Sequence, residues 1–260
     1  MRVCEHGYDP AMTTAVEYPA GAPCWMELSV PDLGRATAFY AGLFGWAFDD
    51  RPYTTARLGG LRVAGISQRW GTDADPAAWT VFVATHDLDS ALSTVAEAGG
   101  RRCGPRQDIG DLGAMALARD PTGAEFGLWE AGTLPGCEAS GPGTPVWNEI
   151  ASSDVQATGA FFTRVFGCEP ERVAGFDFVT LYSGGTPVLG VYGGDDRPRL
   201  GHAAWHTYFS VRSADAAAEY TASAGGSVVR PASHSPYGRW CLLADPFGAR
   251  LAAVEPAEAA

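Results

Sequence analysis

Two short patterns carry the side chains best suited to moving protons. Trp25-Met-Glu27 and Trp147-Asn-Glu149 each set a carboxylate two residues after an indole. Successive side chains of a strand alternate between faces, so an indole and a carboxylate two apart lie together. A carboxylate in apolar surroundings holds its proton more tightly than in water, which suits a general acid or base. His206-Thr-Tyr208 has the same spacing and adds an imidazole and a phenol. A structural alternative stands beside each pattern. The glutamates could bind arginine or backbone donors, and a strand histidine could be a hydrogen-bonded core residue.

The elements that position these groups come twice. Gly21-Ala-Pro-Cys-Trp-Met-Glu-Leu-Ser-Val-Pro-Asp32 returns as Gly143-Thr-Pro-Val-Trp-Asn-Glu-Ile-Ala-Ser-Ser-Asp154. Ala38-Phe-Tyr-Ala-Gly-Leu-Phe-Gly-Trp46 answers to Ala160-Phe-Phe-Thr-Arg-Val-Phe-Gly-Cys168, and Asp120-Pro-Thr-Gly-Ala124 to Asp245-Pro-Phe-Gly-Ala249. A nearly constant offset over half a chain means duplication. The predicted division is a tail over 1–20, one domain over 21–131, a Gly/Pro/Ser/Thr-rich linker over 132–142 and a second domain over 143–256.

Within each half the hydrophobic period switches between two and 3.6. Residues 24–30 read as a strand. Asp32 caps a helix over 33–44, which Gly45 stops. Strands follow at 46–49, 54–58 and 62–68. The unit restarts with a strand at 79–85 and a helix over 88–98, then strands at 102–105, 114–119 and 124–130. The second half repeats the plan, with strands near 146–152, 169–172, 176–183 and 188–192, then 205–211, and helices ending at Phe166 and Ala224. The polar loop Gly193–Gly201 separates its two units, and strands near 228–231, 239–244 and 250–255 close it. This is an α+β chain of four βαβββ units, paired within each half.

Composition excludes several classes of function. The net charge of −12 argues against a nucleic-acid partner, which requires a basic face. All 18 basic residues are arginine, so Schiff-base and pyridoxal chemistry lack their amine. The six cysteines form no CxxC and read as scattered reduced thiols of a cytoplasmic protein. No apolar run is long enough for a membrane span, and residues 1–20 lack a signal-peptide core. No phosphate-cradling glycine loop and no serine or cysteine nucleophile motif is present.

Four βαβββ units, Asp-Pro-x-Gly before the last strand of each half and Phe-Tyr-x-x-Leu-Phe-Gly-Trp closing the first helix resemble the vicinal oxygen chelate superfamily. This is the glyoxalase, bleomycin-resistance and extradiol-dioxygenase group. The resemblance runs from about Gly21 to Glu255, and the doubled form is similar to the tandem, two-domain glyoxalase-like proteins. It implies two domains, each a curved mixed sheet forming a cup. It also implies metal ligands on the first and last strands of each unit. Those places fall on Trp25, Thr80 and Gly127 in the first half and on Trp147, His206 and Ala252 in the second. Only His206 is a ligand type, so the expectation is no metal and no other cofactor. A site of His202, His206 and Glu149 is an alternative outside the family pattern.

By the same resemblance Glu149 and His206 share the second cup as the catalytic pair. Trp25, Glu27, Thr80, Trp129, Trp147 and Tyr208 line the cups, and His234 and Tyr237 lie in a polar loop at the cup mouth. Trp79 and Trp205 alternate the other way and are expected to pack on helices. Aromatic walls suit a flat, apolar or aromatic small molecule. The implied function is metal-independent isomerisation, cyclisation or lyase chemistry on a polyketide-like molecule of secondary metabolism. The rivals are a binding protein that sequesters a toxic natural product and a metal-dependent glyoxalase- or dioxygenase-like enzyme. The protein is expected to be a monomer or homodimer without a nucleic-acid or membrane partner.

Overall fold

The computed structural model describes residues 17–49, 53–69, 77–193 and 203–257. The first half runs β1 (Pro23–Val30), α1 (Leu33–Phe44), β2 (Ala47–Phe48), β3 (Tyr53–Leu58) and β4 (Leu61–Gln68), then β5 (Trp79–Thr85), α2 (Leu88–Glu97), β6 (Arg101–Arg102), β7 (Gln107–Asp108), β8 (Gly113–Arg119) and β9 (Glu125–Ala131). The second runs β10 (Pro145–Ala151), α3 (Val155–Phe166), β11 (Glu169–Arg172), β12 (Phe178–Ser183) and β13 (Thr186–Tyr192), then β14 (Ala204–Ser210), α4 (Ala214–Ser223), β15 (Ser227–Ser235), β16 (Gly238–Ala244) and β17 (Arg250–Pro256).

Each half forms one mixed sheet that does not close on itself, a curved cup. The orders are β2-β3-β4-β1-β5-β9-β8-β6, with β7 beside β8, and β11-β12-β13-β10-β14-β17-β16-β15. The two units of a half join where their first strands pair antiparallel, β1 with β5 and β10 with β14. Each first strand also pairs in parallel with the last strand of its own unit.

The helix ends follow the capping signals. Asp32 and Asp154 accept hydrogen bonds from the backbone N–H groups of Arg35 and Ala157. Gly45 and Gly167 end their helices at φ 73°, where a side chain would strain.

The helices belong between the halves. α1 meets α4, and α2 meets α3. One core joins Met26, Leu28 and Trp79 to Phe209, Leu243 and Ala253. A second joins Phe126 and Leu128 to Phe161, Phe162 and Leu181. The sheets therefore lie back to back with the helices between them, and their other faces look outward. Trp79 packs edge-on against Tyr40 at 5.4 Å, and Trp205 against Phe162 at 6.1 Å, so both point to the helices as expected.

Three local expectations need correction. Residues 107–108 form β7, since Gln107 and Asp108 pair with Met115 and Ala114 in a stretch expected to be partly loop. β15 continues to Ser235, past the proline expected to end it, because two register shifts absorb the irregularity. The tail prediction fails at its end. Tyr18 donates to the carbonyl of Cys137 at 2.7 Å, and Gly21 donates to Ala84 at 3.0 Å. Residues 1–16, 70–76 and 194–202, with His6, Trp70 and His202, lie outside the described residues. The inter-half segment is strapped to the first half: Cys137 donates to Cys24 at 2.8 Å and Trp129 to Leu134 at 2.8 Å.

Candidate active site

β10 supplies the centre of the site in the second half. Trp147 and Glu149 share its outward face. Trp147 donates its indole N–H to Glu149 Oε1 at 3.0 Å, and Tyr208 on β14 donates its hydroxyl to Oε2 at 2.8 Å. Both carboxylate oxygens are thus held by side chains that do not carry charge. Gly190 on β13 makes the room: an added Cβ would come within 2.9 Å of Glu149 Cγ and 2.8 Å of the Phe178 ring.

His206 stands directly opposite Glu149 across β10 and β14, so the two share a face. Its ring meets Tyr192 edge-on at 6.1 Å, and the residue is only 6% exposed. The structure therefore brings Trp147, Glu149, His206 and Tyr208 together. It also adds Phe178, Tyr192 and Trp240, whose ring lies 6.0 Å from Tyr208.

Burial raises the Glu149 pKa above the ordinary carboxylate range, and the hydrogen bonds from Tyr208 and Trp147 partly oppose the shift. Burial, reinforced by the Glu149 charge, also raises the Tyr208 pKa, so the phenol keeps its proton. The result is a carboxyl that holds its proton more tightly than an ordinary glutamate, beside a phenol that only donates.

The first cup has the same plan with different chemistry. Glu27 accepts from Ser67 at 3.4 Å, and burial raises its pKa. Trp25 turns its N–H to the Tyr53 hydroxyl at 3.3 Å instead of to Glu27. Thr80 stands opposite Glu27, and Phe82 opposite Trp25. Trp25, Phe82 and Trp129 are almost fully buried in one apolar cluster with Cys24 and Leu134.

His234 does not line the cup mouth. It lies within β15 opposite Arg239, on the side facing α4, and its charge adds to that of Arg239 in lowering the pKa of Asp215. Tyr237, at the hairpin tip, is 64% exposed.

Trp147 also borders a crevice of about 250 Å³ between the halves, with Cys24, Met26, Cys137 and Asn148. Burial pushes the Cys137 thiol up to about 12, and the Cys24 thiol also rises, so neither is a thiolate nucleophile.

Comparison with known proteins agrees with this architecture. The family model described as Glyoxalase/Bleomycin resistance protein/Dioxygenase superfamily matches residues 24–128 and 145–253. A Mycobacterium tuberculosis protein named "Putative glyoxylase CFP32" is 36% identical over 257 residues, covering 93% of this chain and 97% of that one. Anthracycline biosynthesis protein DnrV of Streptomyces peucetius is 33% identical over 264 residues, covering 92% and 94%. Among solved structures, an Mn(II)-bound glyoxalase from Novosphingobium aromaticivorans superposes with TM-score 0.63 at 16% identity, over 92% of this chain and 84% of that one. The 2,3-dioxygenase LapB from Pseudomonas sp. KL28 gives 0.65 at 15%, over 92% and 93%.

A metal of the kind in such folds needs several imidazole, carboxylate or thiolate donors around one point. The register across the second cup sets Trp147, Tyr208 and Ala252 in one row, and across the first Trp25, Phe82 and Gly127. An added Cβ at Gly127 would run into the Phe82 ring. Among the described residues no three of His, Cys, Asp and Glu group for a metal ion. The residues at these places do not fit the family metal. The chain belongs to the Glyoxalase/Bleomycin resistance protein/Dioxygenase superfamily.

Proposed function

We propose that this superfamily member carries out acid/base chemistry on an aromatic, polyketide-like small molecule in its second cup. The observation that carries this reading is the Glu149 carboxyl. It is half-buried, raised in pKa and held between Trp147 and Tyr208. The likeness to proteins named for anthracycline biosynthesis supports a polycyclic aromatic ligand.

In the proposed step the Glu149 carboxylate accepts a proton from a ligand carbon beside a carbonyl. The C–H electron pair moves into the ring system and leaves an enolate. Protonated Glu149 returns the proton at another atom, or His206 opposite it does so and is reprotonated at the expense of Glu149. The net result is an isomerisation or, where the enolate carbon first adds to a second ligand carbonyl whose C=O π pair opens to an alkoxide that takes the proton, a ring closure, with no other reactant consumed. Tyr208 keeps Glu149 oriented and does not lose its proton. The first cup, with Phe82 and Thr80 in place of Tyr208 and His206, serves as scaffold.

The test is Glu149→Gln against anthraquinone-type candidates. Turnover should disappear while ligand affinity stays. A second reading, sequestration without reaction, is favoured by the aromatic lining of Trp147, Tyr208, Tyr192 and Trp240. Under it the bound molecule returns unchanged, Glu149→Gln does little and Trp147→Ala weakens binding.

A further inference from the structure

The row that begins at Trp147 does not end at Ala252. Ala252 pairs with Leu242, and Leu242 with Arg230. Residues directly opposite in a ladder share a face. Trp147, Tyr208, Ala252, Leu242 and Arg230 therefore line one face of the second sheet, from its middle to its β15 edge.

Arg230 stacks on an aromatic ring at that edge. Its guanidinium lies over the Trp240 ring, 5.3 Å from the centroid, and Trp240 in turn lies 6.0 Å from Tyr208. The contacts run from Glu149 through Tyr208 and Trp240 to Arg230. The curvature of the sheet brings the positive charge near enough to Tyr208 to act against the rise in its pKa.

The duplication provides an internal control. Gly104-Pro105 of the first half answers to Arg230-Pro231 of the second, and Met115 to Trp240. Phe82 answers to Tyr208, and Thr80 to His206. The glutamate and the first-strand tryptophan are common to both halves. The cation, its aromatic seat, the phenol and the imidazole occur only in the second. A folding role for this cup geometry would be needed equally in both halves, so the differences mark recognition.

We propose that Arg230, seated on Trp240, receives an anionic oxygen of the ligand, a carboxylate or an ionised phenol, while the opposite end of the ring system meets Glu149. The inference rests on the reading of the second cup given above and adds the charge and orientation of the ligand. A planar guanidinium offers paired donors to a carboxylate.

Titration calorimetry with anthraquinone-2-carboxylate and its neutral carboxamide tests this. The wild-type protein should bind the carboxylate about tenfold more tightly than the carboxamide, with one site per chain. Arg230→Gln should erase that preference by weakening the carboxylate alone, and Arg230→Lys should keep part of it. Trp147→Ala should weaken both probes alike. Equal affinity of the two probes for the wild-type protein, or equal loss of both in Arg230→Gln, overturns the anion assignment and leaves the aromatic cup standing. If the wild-type protein binds neither probe, the aromatic-cup reading falls and the assignment with it.

Discussion

Tyr40 on α1 donates a 3.0 Å hydrogen bond to Asp245, in the Asp-Pro-Phe-Gly turn of the other half. A reverse turn of one half is thereby anchored by a helix of the other. The mirrored contact uses different chemistry: Thr158 on α3 donates to Asp120 at 2.9 Å. The halves share their cores and their buried polar ties, so they should unfold as one unit.

Tyr40→Phe removes one donor from a buried carboxylate that keeps the backbone donors of Phe247 and Ala249. The expected loss is about 1–3 kcal/mol in urea unfolding, in a single transition. An unchanged midpoint would show that the tie contributes nothing.

Gly42 sits on α1 where a Cβ would run into the Tyr220 ring and hydroxyl, and that hydroxyl donates to Phe39 at 3.1 Å. Gly42→Ala should destabilise by about 1–3 kcal/mol despite alanine's better helix propensity. Tyr220→Ala in the same chain should remove most of the added cost. Two strictly additive losses would place the strain elsewhere.

Burial holds the pKa of Glu149 above its unfolded value. The folded state then binds more protons than the unfolded state between the ordinary carboxylate range and the raised value. The contribution to stability is present below that window and is lost as pH rises through it. Glu149→Gln should make stability less dependent on pH in mildly acidic solution. Thermal unfolding from pH 4 to pH 8 measures this, and parallel curves for the two proteins would refute it.

Tyr208 donates to Glu149 and lowers its pKa relative to burial alone. Tyr208→Phe should therefore raise the Glu149 pKa further. Carboxyl ¹³C titration of labelled protein reads this without any substrate. A downward shift would mean that the phenol is not what stabilises the carboxylate.

Much of this architecture was written in the sequence because it depends on short-range signals. The repeat of Trp-x-Glu, the capping aspartates and the glycine stops fixed four units in two halves. Strand alternation alone put Trp147 beside Glu149 and turned Trp79 and Trp205 towards helices. The resemblance to the superfamily supplied the cups and the pairing of Glu149 with His206. What decides between neighbouring rows of a sheet is register, and bulges shift it invisibly. The unbroken register of β10 with β14 from Trp147 to Ala151 puts Tyr208, not His206, in the row of Trp147 and Ala252. Two shifts in β15 turned His234 to the helix side while Arg230 reached the cup. The packing of α1 on α4 and α2 on α3 is likewise a property of two surfaces meeting, which no local pattern in either one states. Sequence named the chemical groups; the sheet register chose which of them share a cup.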